Sequence, residues 1–228
     1  MVGRFIAPLH PDGLKFVLAG AFLTLIFFFL WAPLAWVALL LTLATAYFFR
    51  DPWRVTPTRE GLVFSPADGT VLSVAASEPP PELKMDVAAA TRISIFLSLF
   101  DVHVSRAPIG GRVVEVQYVK GRFLSADREK ASLHNERMAI RLAPPEGPEV
   151  GFVLVAGLVA RRIVCDLYKG EEVAAGQRVG IIRLGSRVDI YLPPPYVPMV
   201  ITGQHMIAGE TVLADKYARE GAREGRAH

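Results

Sequence analysis

A single cysteine, Cys165, stands in 228 residues, which excludes an intramolecular disulfide framework and a zinc ribbon. The five histidines include no pair at the i,i+2 or i,i+4 spacing of metal ligands, so no metal is expected. Basic tracts are also missing, and a net charge of +3 is too small to argue for a nucleic-acid partner. Charge is scarcest at the start. Only Arg4, Asp12 and Lys15 are charged before Arg50, which leaves 23 basic and 21 acidic residues for the rest of the chain. With 52% hydrophobic residues, dominant disorder is excluded too. The average hides two parts, a greasy N-terminus and an ordinary soluble domain.

From Phe16 to Phe49 no residue is charged, a run of 34 positions broken by Pro33. One straight helix of that length would measure about 51 Å, against about 30 Å for the hydrocarbon core of a bilayer. Two shorter helices, 15–31 and 34–49, with Trp31-Ala32-Pro33 as the turn, fit better, either spanning or as a shallow re-entrant hairpin. Lys15 and Arg4 flank one end, and Arg50 and Arg54 the other. The positive-inside tendency then puts both ends in the cytoplasm, which a hairpin permits. A cleaved signal peptide ending near Ala44-Thr45-Ala46 is the competing reading, but the apolar run is more than twice the length of a signal core. The expectation is a cell-membrane anchor with the working domain on the cytoplasmic side, where a reduced thiol is ordinary.

After Arg50 the pattern changes to short runs rich in Val, Ile and Phe between turn residues, recurring every ten or so positions. Strands are expected at 62–64, 70–75, 92–97, 112–119, 137–142, 151–155, 163–167, 178–182, 188–191, 199–201 and 211–214, with a short helix at 124–133. This is the pattern of an all-β sandwich or barrel. The beat Gly170-Glu171-Glu172-Val173-Ala174-Ala175-Gly176, echoed at Gly209-Glu210-Thr211-Val212, resembles the turns of lipoyl-carrier-like sandwiches. A carrier lysine is lacking, since Leu83-Lys84-Met85 follows three prolines. The expected fold is therefore mainly β, a lipoyl-like sandwich or barrel behind an α-helical membrane hairpin. The expected domains are 1–50 for the hairpin, 51–215 for the β domain and 216–228 for a polar tail.

Three spots carry groups suited to chemistry. Ser65-Pro66-Ala67-Asp68-Gly69-Thr70 holds an acid in a tight turn. The stretch from Ser98 to Pro108 packs Asp101, His103 and Arg106 into six residues. Leu184-Gly185-Ser186-Arg187 sets a Gly-Ser step between two strands. Each alone is more often a turn or a structural histidine. Glu136-Arg137 reads as a site pair or a plain ion pair, and Cys165 as a small core residue.

The set together resembles a family. FFRDPWR at 48–54, SPADGTV at 65–71, FLSLFDVHVSRAPIGG at 96–111, Asn135-Glu136-Arg137 and RLGSRVDIYLP at 183–193 are similar, in order and spacing, to the short form of phosphatidylserine decarboxylase. That resemblance implies a proenzyme that cuts itself between Gly185 and Ser186, turning Ser186 into a covalent pyruvoyl group, the only cofactor. It implies a Schiff base from that group to phosphatidylserine, loss of carbon dioxide, and phosphatidylethanolamine as product. Asp68 and His103 match the family's positions for the supporting machinery, which makes Ser186, His103 and Asp68 the expected catalytic set. The mature enzyme would be a heterodimer of fragments 1–185 and 186–228, with further homo-oligomerisation left open. Where longer members have a second histidine this chain has Arg106, and Arg187 follows the Gly-Ser where they have Thr. Both arginines are candidates for the substrate carboxylate or phosphate, and the base for self-cleavage stays open. Two other functions compete: the same chemistry on an ether-linked serine phospholipid, and a non-enzymatic, membrane-anchored lipoyl-like adaptor.

Overall fold

The structure is a computed structural model that describes residues 7–125, 134–157, 162–183, 185–221 and 223–226. The chain divides into two compact units, Met1–Trp53 and Arg54–His228.

The first unit is a helical pair, α1 (Pro11–Leu30) and α2 (Ala32–Phe48). Pro11 opens α1 where its missing N–H costs nothing, and His10 Nδ1 accepts from the Asp12 amide at 3.3 Å. Trp31 alone is the turn, extended at φ −163°. The helices meet through small and hydroxylated residues: Thr42 packs on Gly20, and the Thr24 and Thr42 hydroxyls lie 3.5 Å apart. Both hydroxyls also bond carbonyls one turn back, which satisfies them inside the helix pair. With 20 residues, α1 is long and apolar enough to cross a membrane; α2 is shorter. Starting at Pro11, α1 begins four residues earlier than the charge pattern suggested, because Asp12 and Lys15 pair at its polar first turn.

The second unit is mainly β. In chain order its strands are β1 (Leu62–Phe64), β2 (Gly69–Ser77), β3 (Ala90–Leu97), β4 (Val104–Arg106), β5 (Gly111–Val119), β6 (Arg137–Ala143), β7 (Val150–Ala156), β8 (Ile163–Cys165), β9 (Glu172–Val173), β10 (Arg178–Ile182), β11 (Ser186–Leu192), β12 (Val197–Pro198), β13 (His205–Met206) and β14 (Val212–Asp215). A curled eight-stranded sheet runs β13-β2-β3-β11-β7-β6-β5-β9. Two three-stranded sheets, β1-β14-β12 and β4-β10-β8, complete the unit.

β11 lies inside the large sheet, antiparallel to both neighbours, and all seven of its residues are buried. Its side chains alternate between faces. Val188, Ile190 and Leu192 enter the main core with Ile93, Ile95, Phe152, Leu154 and Ile140, while Tyr191 enters a second cluster with Leu83, Val153 and Val155. The expected mainly β fold with an apolar helix pair is what the structure has. β4, β9 and β13 lie where no strand was expected, since two or three residues carry no periodicity. The expected strand at 199–201 is absent, and Val197–Pro198 pairs with β14 instead. The expected helix at 124–133 falls largely outside the described residues.

Candidate active site

Ser186 is the first residue of β11, opposite Leu97 of β3 and Ala156 of β7. Those are the last residues of their strands, so Ser186 stands at one end of the sheet. Its alternation with Arg187 turns it toward the face of the main core. The Ser186 residue has 0% exposure, and its hydroxyl has no hydrogen-bond partner among the described residues. An unmet buried hydroxyl is costly and rare. Gly185, just before it, adopts φ +61°, the left-handed region that side chains avoid. A Cβ there would meet nothing within 4 Å, so space lies open beside the Gly185–Ser186 bond.

Asp68 reaches the same end of the sheet. Thr70 pairs with Phe96, the residue before Ser186's partner Leu97, and Asp68 lies two positions earlier. Gly69 is required by close approach: a Cβ would strike the Phe96 carbonyl, and its φ is +143°. The buried Asp68 carboxylate accepts from the Arg54 guanidinium at 2.7 Å and from the Ala208 amide at 2.7 Å. Burial pushes its pKa above the usual aspartate value, against the lowering by Ala208 and Arg54, and the nearby Asp101 charge adds to the rise.

His103 lies directly before β4, and its carbonyl accepts from the Ile182 amide at 3.2 Å, which ties it to the end of β10 four residues from Ser186. The imidazole is fully buried. Its Nδ1 lies 3.0 Å from the Asp101 carbonyl, which can only accept, so Nδ1 carries the proton and Nε2 is the basic nitrogen of the neutral ring. Sheet pairing thus gathers Ser186, Asp68 and His103 at one end of the unit.

The two arginines sit differently. Arg187 is on the opposite face of β11 from Ser186, where its Nε donates to Asp189 at 2.6 Å and its guanidinium to the Ser94 hydroxyl at 2.7 Å, all buried. Arg106 donates to the Gly176 carbonyl at 2.9 Å in a buried contact. Each guanidinium bonds the scaffold. Arg137, which opens β6, pairs with Glu82 of the 80–84 segment, and Glu136 stands just before the strand.

Three groups had no role assigned from the sequence. Arg54 stood there as a flank of the apolar run and the last residue of the FFRDPWR motif, Asn135 only as a member of the Asn135-Glu136-Arg137 motif, and Ala208 supplies a backbone amide that no side-chain pattern reports. Asn135 is buried and bonds fully: its amide donates to the Leu124 and Ala156 carbonyls at 2.8 and 2.7 Å and accepts from the Leu124 amide at 2.9 Å. It clamps segment 122–124 to the strand residue that pairs with Ser186. A cavity of about 430 Å³ lies elsewhere, lined by Arg59, Leu62, Pro144, Tyr196 and Lys216 at the far end of β6 from Ser186.

Residues 41–214 match the model of the phosphatidylserine decarboxylase family. The chain belongs to that family. It is 51% identical over 227 residues to a phosphatidylserine decarboxylase proenzyme of Cereibacter sphaeroides, covering all of this chain and 98% of the relative. A proenzyme of the same description from Paramagnetospirillum magneticum is 54% identical over 218 residues, 96% of this chain and 91% of the relative. A third, from Ruegeria pomeroyi, is 52% identical over 215 residues, 94% and 98% of the two chains. Membership makes the chain an enzyme, a carboxy-lyase. Both strands flanking Ser186 lie inside the family match.

Proposed function

We propose that the chain converts phosphatidylserine to phosphatidylethanolamine with a pyruvoyl group made from Ser186 by cutting its own Gly185–Ser186 bond. The observation that carries this reading is the buried Ser186 hydroxyl without a partner among the described residues, beside a glycine with positive φ and open space. A hydroxyl meant only for structure would be bonded. Here the cost of leaving it unmet and the strain of the turn both favour attack on the preceding carbonyl.

In the cut, the Ser186 Oγ adds to the Gly185 carbonyl carbon and the acyl group passes from nitrogen to oxygen. Elimination across the Cα–Cβ bond of residue 186 releases the Gly185 carboxylate. One water then adds and ammonia leaves, giving the ketone. Once formed, that group supplies an electron sink as carbon dioxide departs. His103 Nε2, held as a base by the Nδ1 tether, takes the Ser186 proton in the cut and later returns a proton to the substrate carbon. Asp68 balances the charge this creates. Arg106 and Arg187 brace the strands. Their guanidinium forks had made them candidates for the substrate carboxylate or phosphate; the bonds described for them go to the scaffold.

The fragments 1–185 and 186–228 make the mature enzyme. Residues 1–50 form the membrane anchor, 51–215 the decarboxylase domain and 216–228 a polar tail. Arg50 and Arg54 after the apolar run favour the cytoplasmic face. An acyl phospholipid is the substrate named by the family. Mass spectrometry of the purified chain tests the reading: two species of 185 and 43 residues, the smaller with a blocked N-terminus. Ser186→Ala should give one inactive, uncut chain. An unsubstituted chain that stays whole yet decarboxylates would sink it.

A further inference from the structure

Between Leu97, the strand partner of Ser186, and His103 the chain makes a tight turn at 98–101. It is held shut three ways. The Asp101 amide bonds the Ser98 carbonyl at 3.1 Å, and the Asp101 carboxylate takes both the Ser98 amide and the Ser98 hydroxyl at 2.7 Å. The residues at its tip are Leu99 and Phe100, and they are 51% and 77% exposed. His205 Nε2 comes within 3.8 Å of the Asp101 carboxylate, and Ile207, two residues further on, is 37% exposed. A turn braced by its own side chains could carry any polar pair at its tip. This one holds two large apolar side chains out in water.

We propose that the 98–101 turn is a lipid-contacting tip, inserting Leu99 and Phe100 into the apolar layer of the substrate membrane and so setting the entrance of the site at the bilayer surface. Burial area decides the occupant. Two side chains fall far short of the roughly 1,000 Å² that a specific protein interface needs. A lipid surface has no such threshold, since each inserted side chain gains its own transfer free energy. The turn also lies next to Ser186's strand partner, so a tip seated among acyl chains brings the site to head-group level. The proposal rests on a bilayer phospholipid as substrate, and it does not depend on the pyruvoyl chemistry.

The test uses the full chain reconstituted in vesicles of phosphatidylcholine and phosphatidylserine. The double variant Leu99→Ser, Phe100→Ser should convert to its two fragments like the unsubstituted chain and act normally on a short-chain phosphatidylserine dissolved as monomers. On vesicles its apparent KM should rise roughly tenfold, while Tyr168→Ser, an equally exposed aromatic remote from the turn, should change nothing. An equal loss on both substrates, or no loss on either, overturns the proposal. A second readout needs no activity: in Phe100→Cys with Cys165→Ala, a fluorophore at position 100 should be quenched by lipids carrying a shallow spin label. Quenching by aqueous quenchers alone overturns it. So does shielding that follows the protein-to-lipid ratio, the mark of a second copy of the chain.

Discussion

Asp68 holds its charge in a place that opposes it. Burial raises its pKa, and Arg54 and the Ala208 amide pull the other way. If ionised Asp68 supports self-cleavage, conversion should fail as pH drops through its pKa, and that limb should lie above the usual 3.8. Removing Arg54 takes away a lowering influence, so the sign is fixed. In Arg54→Met the acid limb of proenzyme conversion should move toward neutral pH, read from fragment yield against pH on gels. An unmoved limb would remove Asp68 from the cutting step. The sequence exposed Asp68 and Gly69 through a motif, but Arg54 reaches Asp68 by a contact between residues 14 apart. No local pattern encodes that.

At the scale of one element, β11 separates two tasks by the two-residue alternation of a strand. Ser186 and the apolar residues serve one face; Arg187, Asp189 and Tyr191 serve the other. Burial drives the Tyr191 hydroxyl up to about 12, so this outer face stays neutral at tyrosine and carries its charge in the Arg187–Asp189 pair. Breaking a buried pair strands one charge and typically costs about 3–5 kcal/mol. Arg187→Met should therefore lower the thermal midpoint of the uncut Ser186→Ala chain substantially. Arg187→Met with Asp189→Leu should recover much of the loss, since no lone charge remains. Equal losses in the single and double variants would show that the pair is not the source. The hydrophobic beat of residues 188–191 made this strand legible. That it begins at Ser186, in register with Leu97 and Ala156, depended on neighbours up to 90 positions away.

For the whole molecule, the position of the proposed cut matters more than its chemistry. The 43 residues after Gly185 supply β11 inside the large sheet, β13 on its edge, and both β12 and β14 of the sheet that holds β1. A cut at the head of β11 breaks one peptide bond and leaves the ladders to β3 and β7 intact. The two fragments should then elute together in native gel filtration and part only under denaturant, in the same transition that unfolds the large fragment. Separation of the small fragment without unfolding would contradict this topology.

The amino-acid sequence alone determined the two-part organisation, because absence of charge over 34 residues and a return of short Val- and Ile-rich runs are local properties of composition. It also determined the family, through short motifs whose order and spacing survive without any knowledge of contacts. Tertiary structure decided which of the marked residues share an environment. Arg187 adjoins Ser186 along the chain but is turned from it by the pleat. Asp68 is 118 positions away and is brought to the same sheet end by β2, β3 and β11. Chain neighbours in a strand face opposite ways, and strand pairing joins distant residues. Proximity at this site is therefore a property of the sheet's register, which only the folded molecule fixes.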